Sequence, residues 1–153
     1  IQANDLIGRK TARDGGSGAR GIAAQIELTE QALAASSSVH ARAMLNRLSA
    51  ARQAFLGVVD FVVAQSKVNP NGVFAGSVPY LMLAGNLMSG WQMARALLVA
   101  EDKLGQAEDV EFMKAKIATC RVYADHILSR APGLRDAIVE GGEGVTAMAL
   151  EAF

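Results

Sequence analysis

The stretch Val110–Ala131 reads VEFMKAKIATCRVYADHILSRA, and its periodicity decides the fold. Val110, Met113, Ile117, Cys120, Ala124, Ile127 and Ala131 recur at alternating spacings of three and four. That period places them on one face of an α-helix. Acidic Glu108, Asp109 and Glu111 at its start suit the positive end of a helix dipole, so a helix is predicted from about Ala107. Pro132-Gly133 is expected to end it in a turn.

Working outward, the run Val78–Ala100 carries a single formal charge, Arg95. A run this apolar raises the question of a membrane span. Asn86, Ser89, Gln92 and Arg95 recur along it, so a buried central helix is the expectation. Ser77 is read as its cap, Pro79 as first-turn proline, and Lys103-Leu104-Gly105 as its stop. Gly85, Ser89, Gly90 and Ala94 would let a neighbouring helix approach closely. Upstream, Met44, Leu48, Ala51, Phe55, Val58 and Val62 form the stripe of a helix predicted over Val39–Val68, ended by Asn69-Pro70-Asn71-Gly72. Ile22, Ile26, Thr29 and Leu33 predict another over Ala19–Ala35, and Ser36-Ser37-Ser38 a turn plus cap. Leu134, Ala137, Ile138, Gly141, Val145 and Met148 predict a last, shorter helix with a tight contact at Gly141. No strand pattern occurs. The expected fold is all-α, an antiparallel four-helix bundle with a short fifth C-terminal helix.

The opening Ile1–Gly18 carries Arg9, Lys10 and Arg13, then Asp14-Gly15-Gly16-Ser17-Gly18, read as a flexible connector. Residues 1–18 are therefore expected to be an N-terminal segment with a Gly-rich connector, and 19–153 the helical-bundle domain. Without an initiator Met, the chain is expected to be a processed product, an engineered piece, or the ordered part of something longer.

Composition excludes several function classes. The 153 residues make one domain's worth of chain, and 51% hydrophobic against 20% charged residues is incompatible with a disordered tail. Lys plus Arg and Asp plus Glu both number 15, so no global basic field exists to hold nucleic acid or an anionic membrane, and neither is expected as a partner. One cysteine rules out an intrachain disulfide and a thiolate metal cluster, and fits a reducing, cytoplasmic setting.

Individual residues offer little chemistry. His126 lies beside Asp125 and three after Tyr123; His40 lies three after Ser37. A carboxylate-bridged metal bundle needs Glu-x-x-His pairs, which neither site supplies. Cys120 falls on an apolar stripe, where a free thiol is a small hydrophobe. Tyr80 and Trp91 share a helix face and could line an acyl pocket, but core anchors are the preferred reading. Met44, Met82, Met88, Met93, Met113 and Met148 read as gap-fillers rather than a ligand groove. Arg9, Lys10, Arg13 and Arg20 form a basic cluster offset by Asp5 and Asp14, read as a solvated flank. No P-loop, dinucleotide fingerprint, nucleophile elbow or zinc spacing is present. No catalytic, cofactor-binding or metal-binding residue is therefore assigned.

Two segments carry a resemblance. Ile1-Gln2-Ala3-Asn4-Asp5-Leu6-Ile7-Gly8-Arg9-Lys10 resembles the stretch just after the catalytic Glu-Gly-Thr motif of acyl-CoA dehydrogenases. Ala115–Met148, with Ile117-Ala118-Thr119, Tyr123-Ala124-Asp125-His126-Ile127-Leu128 and Glu140-Gly141-Gly142-Glu143-Gly144-Val145, resembles the C-terminal helical extension of the long bacterial-type members, those like 3-methylmercaptopropionyl-CoA dehydrogenase. Pro79-Tyr80-Leu81 and Gly90-Trp91-Gln92-Met93-Ala94-Arg95 fit the same extension.

The resemblance implies a parent enzyme that oxidises an acyl-CoA to the 2,3-enoyl-CoA with FAD. It implies that the catalytic Glu and most of the flavin site lie outside this chain, which would then be no enzyme alone and hold no cofactor. Gln2 is the one residue near the family's flavin-contacting segment, and is not assigned as a ligand. The implied partner is the dehydrogenase core, and exposed docking faces imply a homo-oligomer. The alternative is an independent helical protein-interaction module.

Overall fold

The computed structural model describes residues 1–152, and of Thr146 and Leu150 the backbone alone; Phe153, the last residue of the expected bundle domain, lies outside the described residues. The described residues are all-helical. The elements are α1 (Gln2–Asp5), a π-helical stretch (Leu6–Ala12), α2 (Ser17–Ala34), α3 (Val39–Gln65), α4 (Pro70–Ala75), α5 (Ser77–Gly105), α6 (Val110–His126), a 3₁₀ turn (Leu128–Arg130), α7 (Ala131–Val139), α8 (Gly142–Thr146) and a 3₁₀ turn (Leu150–Ala152).

Helix α3 is the axis of the molecule and packs on α2, α5, α6 and α7. Its first turn is closed by Ser38, whose Oγ accepts from the His40 and Ala41 N–H groups at 3.1 and 3.3 Å. Its expected stripe, Met44 through Val62, is buried throughout. Helix α5 turns Tyr80, Leu83, Leu87, Gly90, Ala94, Leu97 and Ala100 inward, and α6 turns Met113, Ile117, Cys120 and Ala124 inward. Many of these residues are Gly or Ala, so helix axes approach closely. A methyl group on Gly90 would sit 2.5 Å from Leu128 Cδ2, so that leucine packs directly on the α5 backbone. Phe55 and Tyr80 meet with ring centroids 5.9 Å apart.

Several expectations give way. In α2 the inward face is Ala19, Ala23, Ile26, Glu30 and Leu33, while Ile22 is 42% exposed. Glu30 turns inward because Arg52 of α3 meets it with two hydrogen bonds of 2.8 Å. Asn69-Pro70 starts a helix as well as ending one: Asn69 Oδ1 accepts from the Gly72 N–H at 3.1 Å, and Pro70 needs no donor in the first turn of α4. Pro132 does the same in α7. The C-terminal helix does not run through Gly141; it divides into α7 and α8, and of its expected inner line Val145 and Met148 are 70% and 62% exposed. Gly85 and Ser89 face outward and make no close helix contact.

The opening segment is helical rather than loose. Its π geometry shows in the Arg13 N–H bonding the Gly8 carbonyl at 3.1 Å, five residues back. Gly15 and Gly16, at φ +64° and +79°, make the turn into α2 in a conformation glycine adopts without penalty. Ile7 and Thr11 are buried on the α3 and α5 side of the segment.

Candidate functional site

The polar residues divide into structural pairs and three concavities. At the end of α6, Asp125 is bound by Arg121 and lies 3.9 Å from Arg47. The Arg121 guanidinium, aided by Arg47, holds its carboxyl below the usual carboxylate range. Asp125 is thus committed to arginines rather than orienting exposed His126. Tyr123 donates to the Asn86 carbonyl at 3.2 Å. Cys120 is buried, and burial pushes its thiol above the ordinary value, which disfavours the nucleophilic thiolate.

Tyr80 and Trp91 part company. The Tyr80 hydroxyl shares a 2.9 Å buried hydrogen bond with Thr11, whereas Trp91 Nε1 donates to Thr29 Oγ1 of α2 at 2.8 Å. Tyr80 lines a cavity of about 350 Å³ with Leu6, Ile22, Phe55, Ala84 and Met88. Trp91 does not line it, so the two do not form one acyl pocket. The basic cluster is dispersed as well. Arg9 grips Asp5 with both oxygens, Arg20 pairs with Asp60 at 2.7 Å, and Lys10 stands at the cavity rim. Asp14 accepts from the Gly16 and Gly18 N–H groups, which holds its carboxyl below the usual range.

A concavity of about 620 Å³ lies where the Ser36–Ser38 turn meets α5 and α6. The Ser38 hydroxyl donates to Glu101 in a short hydrogen bond. His40 Nδ1 is buried without a hydrogen-bond partner among the described residues. Ser, Glu and His in one groove invite a nucleophile reading, but Ser38 is already the α3 cap. Releasing its oxygen for attack would strip the first helical turn of its acceptor, at about 1 kcal/mol. Glu101 lies 63 residues from Ser38 and carried no sequence signal. A third concavity, of about 430 Å³, runs between α5 and α6, with Arg95, Lys103 and Lys116 around Val99, Phe112 and Met113. Its signal is equally weak in sequence, because exposed Phe112 reads like any apolar helix residue.

Among the described residues, no group of three or more His, Cys, Asp or Glu side chains could hold a metal ion. Nor, among the described residues, is any helix long and apolar enough to cross a membrane.

Comparison with known proteins supplies the context that these pairs lack. A family model described as "Acetyl-CoA dehydrogenase C-terminal like" matches residues 21–149. The chain is also 41% identical over 150 residues to 3-methylmercaptopropionyl-CoA dehydrogenase of Ruegeria pomeroyi. That alignment covers 98% of this chain and 25% of the relative, so the chain spans about a quarter of the length of that curated protein. With the family model matching most of its length, the chain belongs to the C-terminal family of the acyl-CoA dehydrogenases.

Proposed function

We propose that this chain is the accessory C-terminal helical domain of an FAD-dependent acyl-CoA dehydrogenase, whose parent oxidises an acyl-CoA to the 2,3-enoyl-CoA. The carrying observation is the family match over residues 21–149. Supporting it, Asp125, Arg9 and Arg20 are engaged in structural pairs, and Cys120 and Tyr80 are buried. In this reading the domain is not itself an enzyme. It packs on the dehydrogenase core, shapes its surroundings and supports assembly as a homo-oligomer, in a cytoplasmic setting.

The arrangement proposed is an antiparallel bundle of α2, α3, α5 and α6, with α7 as the shorter fifth helix. The short turns after α2 and α5 support it, since such turns reverse the chain between neighbours. The boundary near residue 18 is supported by the family match beginning at residue 21. Residues 1–18 would then belong to the parent's core while lending Ile7 and Thr11 to the bundle.

The residues present do not fit a flavin dinucleotide. The first-turn N–H groups of α3 at His40 and Ala41, of the kind a diphosphate uses, are already taken by Ser38 Oγ, and the Glu101 carboxylate reaches the same turn through Ser38. Gln2 is exposed on α1. FAD is therefore assigned to the rest of the parent.

The test is to purify the 153-residue chain and record its visible absorbance and its reduction of an electron acceptor with acyl-CoA. Absence of both is the expected result. Bound flavin or turnover would overturn the accessory reading.

A further inference from the structure

Two surfaces at opposite ends of the molecule complement each other. The α5–α6 groove presents Arg95, Lys103 and Lys116 around an apolar floor, and no carboxylate lines it. Phe112 and Val99 stand 60% and 55% exposed there. The Lys116 ammonium lies 5.4 Å from the Phe112 ring centre, and Arg95 donates to the neutral Gln92 amide. Of these cations Lys103 forms an ion pair, with Glu108 at 2.6 Å. In a chain of zero net charge this is a local excess of positive charge over exposed apolar area.

The opposite surface is the C-terminal segment. From Asp136 to Phe153 the sequence carries Asp136, Glu140, Glu143 and Glu151 and no Lys or Arg. Asp136 and Glu140 are held by Arg135, while Glu151 is exposed. Val145 and Met148 project from the same segment, largely exposed. Within Gly142–Ala152 itself the charged residues are Glu143 and Glu151, so the segment is acidic and apolar where the groove is basic and apolar.

The two cannot meet within one molecule. Helix α8 packs on α4, with Gly142 against the Gly72 backbone, beside the start of α5. The groove lies around Arg95–Lys103, some twenty residues further along α5, or about 30 Å at 1.5 Å per residue. The partly helical segment Gly142–Ala152 is too short to reach back over that distance.

We propose that the segment Gly142–Ala152 of a second copy seats in the α5–α6 groove, reciprocally, in a two-fold dimer. A two-fold axis brings the tail end of each copy to the groove end of the other, so both contacts form twice and the assembly closes. The inference rests on the homo-oligomer part of the function proposed above and names its surfaces.

Sedimentation velocity of the 153-residue chain over a concentration series tests it. The expected result is a dimer that weakens as salt rises, since exposed charges are screened within about 8 Å at physiological ionic strength. Lys116→Glu and Glu151→Lys should each weaken dimerisation by roughly tenfold. Mixing the two variants should restore dimers, since one contact is then native and the other has its charges exchanged, and Phe112→Ala should weaken both contacts. All these residues are exposed or half-buried, and unchanged circular dichroism checks that the variants fold. A monomer at every concentration overturns both this inference and the homo-oligomer. A dimer indifferent to all the substitutions overturns this inference alone.

Discussion

The two ends of the chain make opposite use of the same few helical turns. The N-terminal segment inserts Ile7 and Thr11 into the core, where they are 1% and 0% exposed. The C-terminal segment holds Val145 and Met148 out, at 70% and 62%. Both are short and have glycines nearby, but the first is basic and the second acidic. What separates them is a partner. Thr11 has the Tyr80 hydroxyl and its segment packs on α2, α3 and α5, whereas α8 packs on α4 and α7 with Gly142 against the Gly72 backbone. A terminal segment becomes part of a core when a specific polar pair and an apolar side chain fix it together.

The comparison is open to direct attack. Ile7→Ala should destabilise the chain by about 2–5 kcal/mol, the range for truncating a buried aliphatic side chain; urea denaturation measures it. A loss under about 0.5 kcal/mol would mean that the segment is no more integral than its C-terminal counterpart. Thr11→Val should cost about 1–3 kcal/mol by leaving the Tyr80 hydroxyl buried and unpaired. Adding Tyr80→Phe should cost less than the two single effects summed, because both polar groups are then gone.

Tyr80 also makes the comparison sensitive to pH. Burial pushes its phenol above the ordinary value, with the Thr11 hydrogen bond opposing. The folded state thus keeps the proton that the unfolded chain releases near pH 10. The stability from this group is full below that pH and falls as pH rises through it toward the folded value. In thermal melts, Tyr80→Phe should flatten that part of the alkaline decline.

Gly142→Ala is expected to cost about 1 kcal/mol, since its methyl would lie 2.9 Å from the Gly72 carbonyl oxygen and the backbones would have to part. Smallest of all, Val145→Ala and Met148→Ala should stay within about 0.5 kcal/mol at concentrations where the chain is monomeric. A larger loss there would show that the C-terminal segment is packed like its N-terminal counterpart.

Much of the fold is written in side-chain periodicity. The Met44–Val62 stripe of α3 and the Met113–Ala124 stripe of α6 are both legible because large apolar residues repeat at helical spacing. The α2 face is not, because Ala19 and Ala23 carry little apolar weight and Glu30 turns inward only when Arg52 is in reach. Pro70 and Pro132 open helices rather than close them, and only the capping geometry tells the two apart. The concavities were the least legible part. Ser38 and Glu101 are joined across 63 residues, and Arg95, Lys103 and Lys116 become one charged wall only when α5 and α6 lie side by side.

The seven-residue π stretch Leu6–Ala12 acts as a gearing between α1 and the bundle. A wider turn stores one extra residue relative to an α-helix. Deleting that stored residue would let the segment close to ordinary pitch while the turns on either side keep their facing. Ile7 and Thr11, four residues apart, would still share one face, so the stored residue sets how tightly this span is wound rather than which side of it meets the bundle.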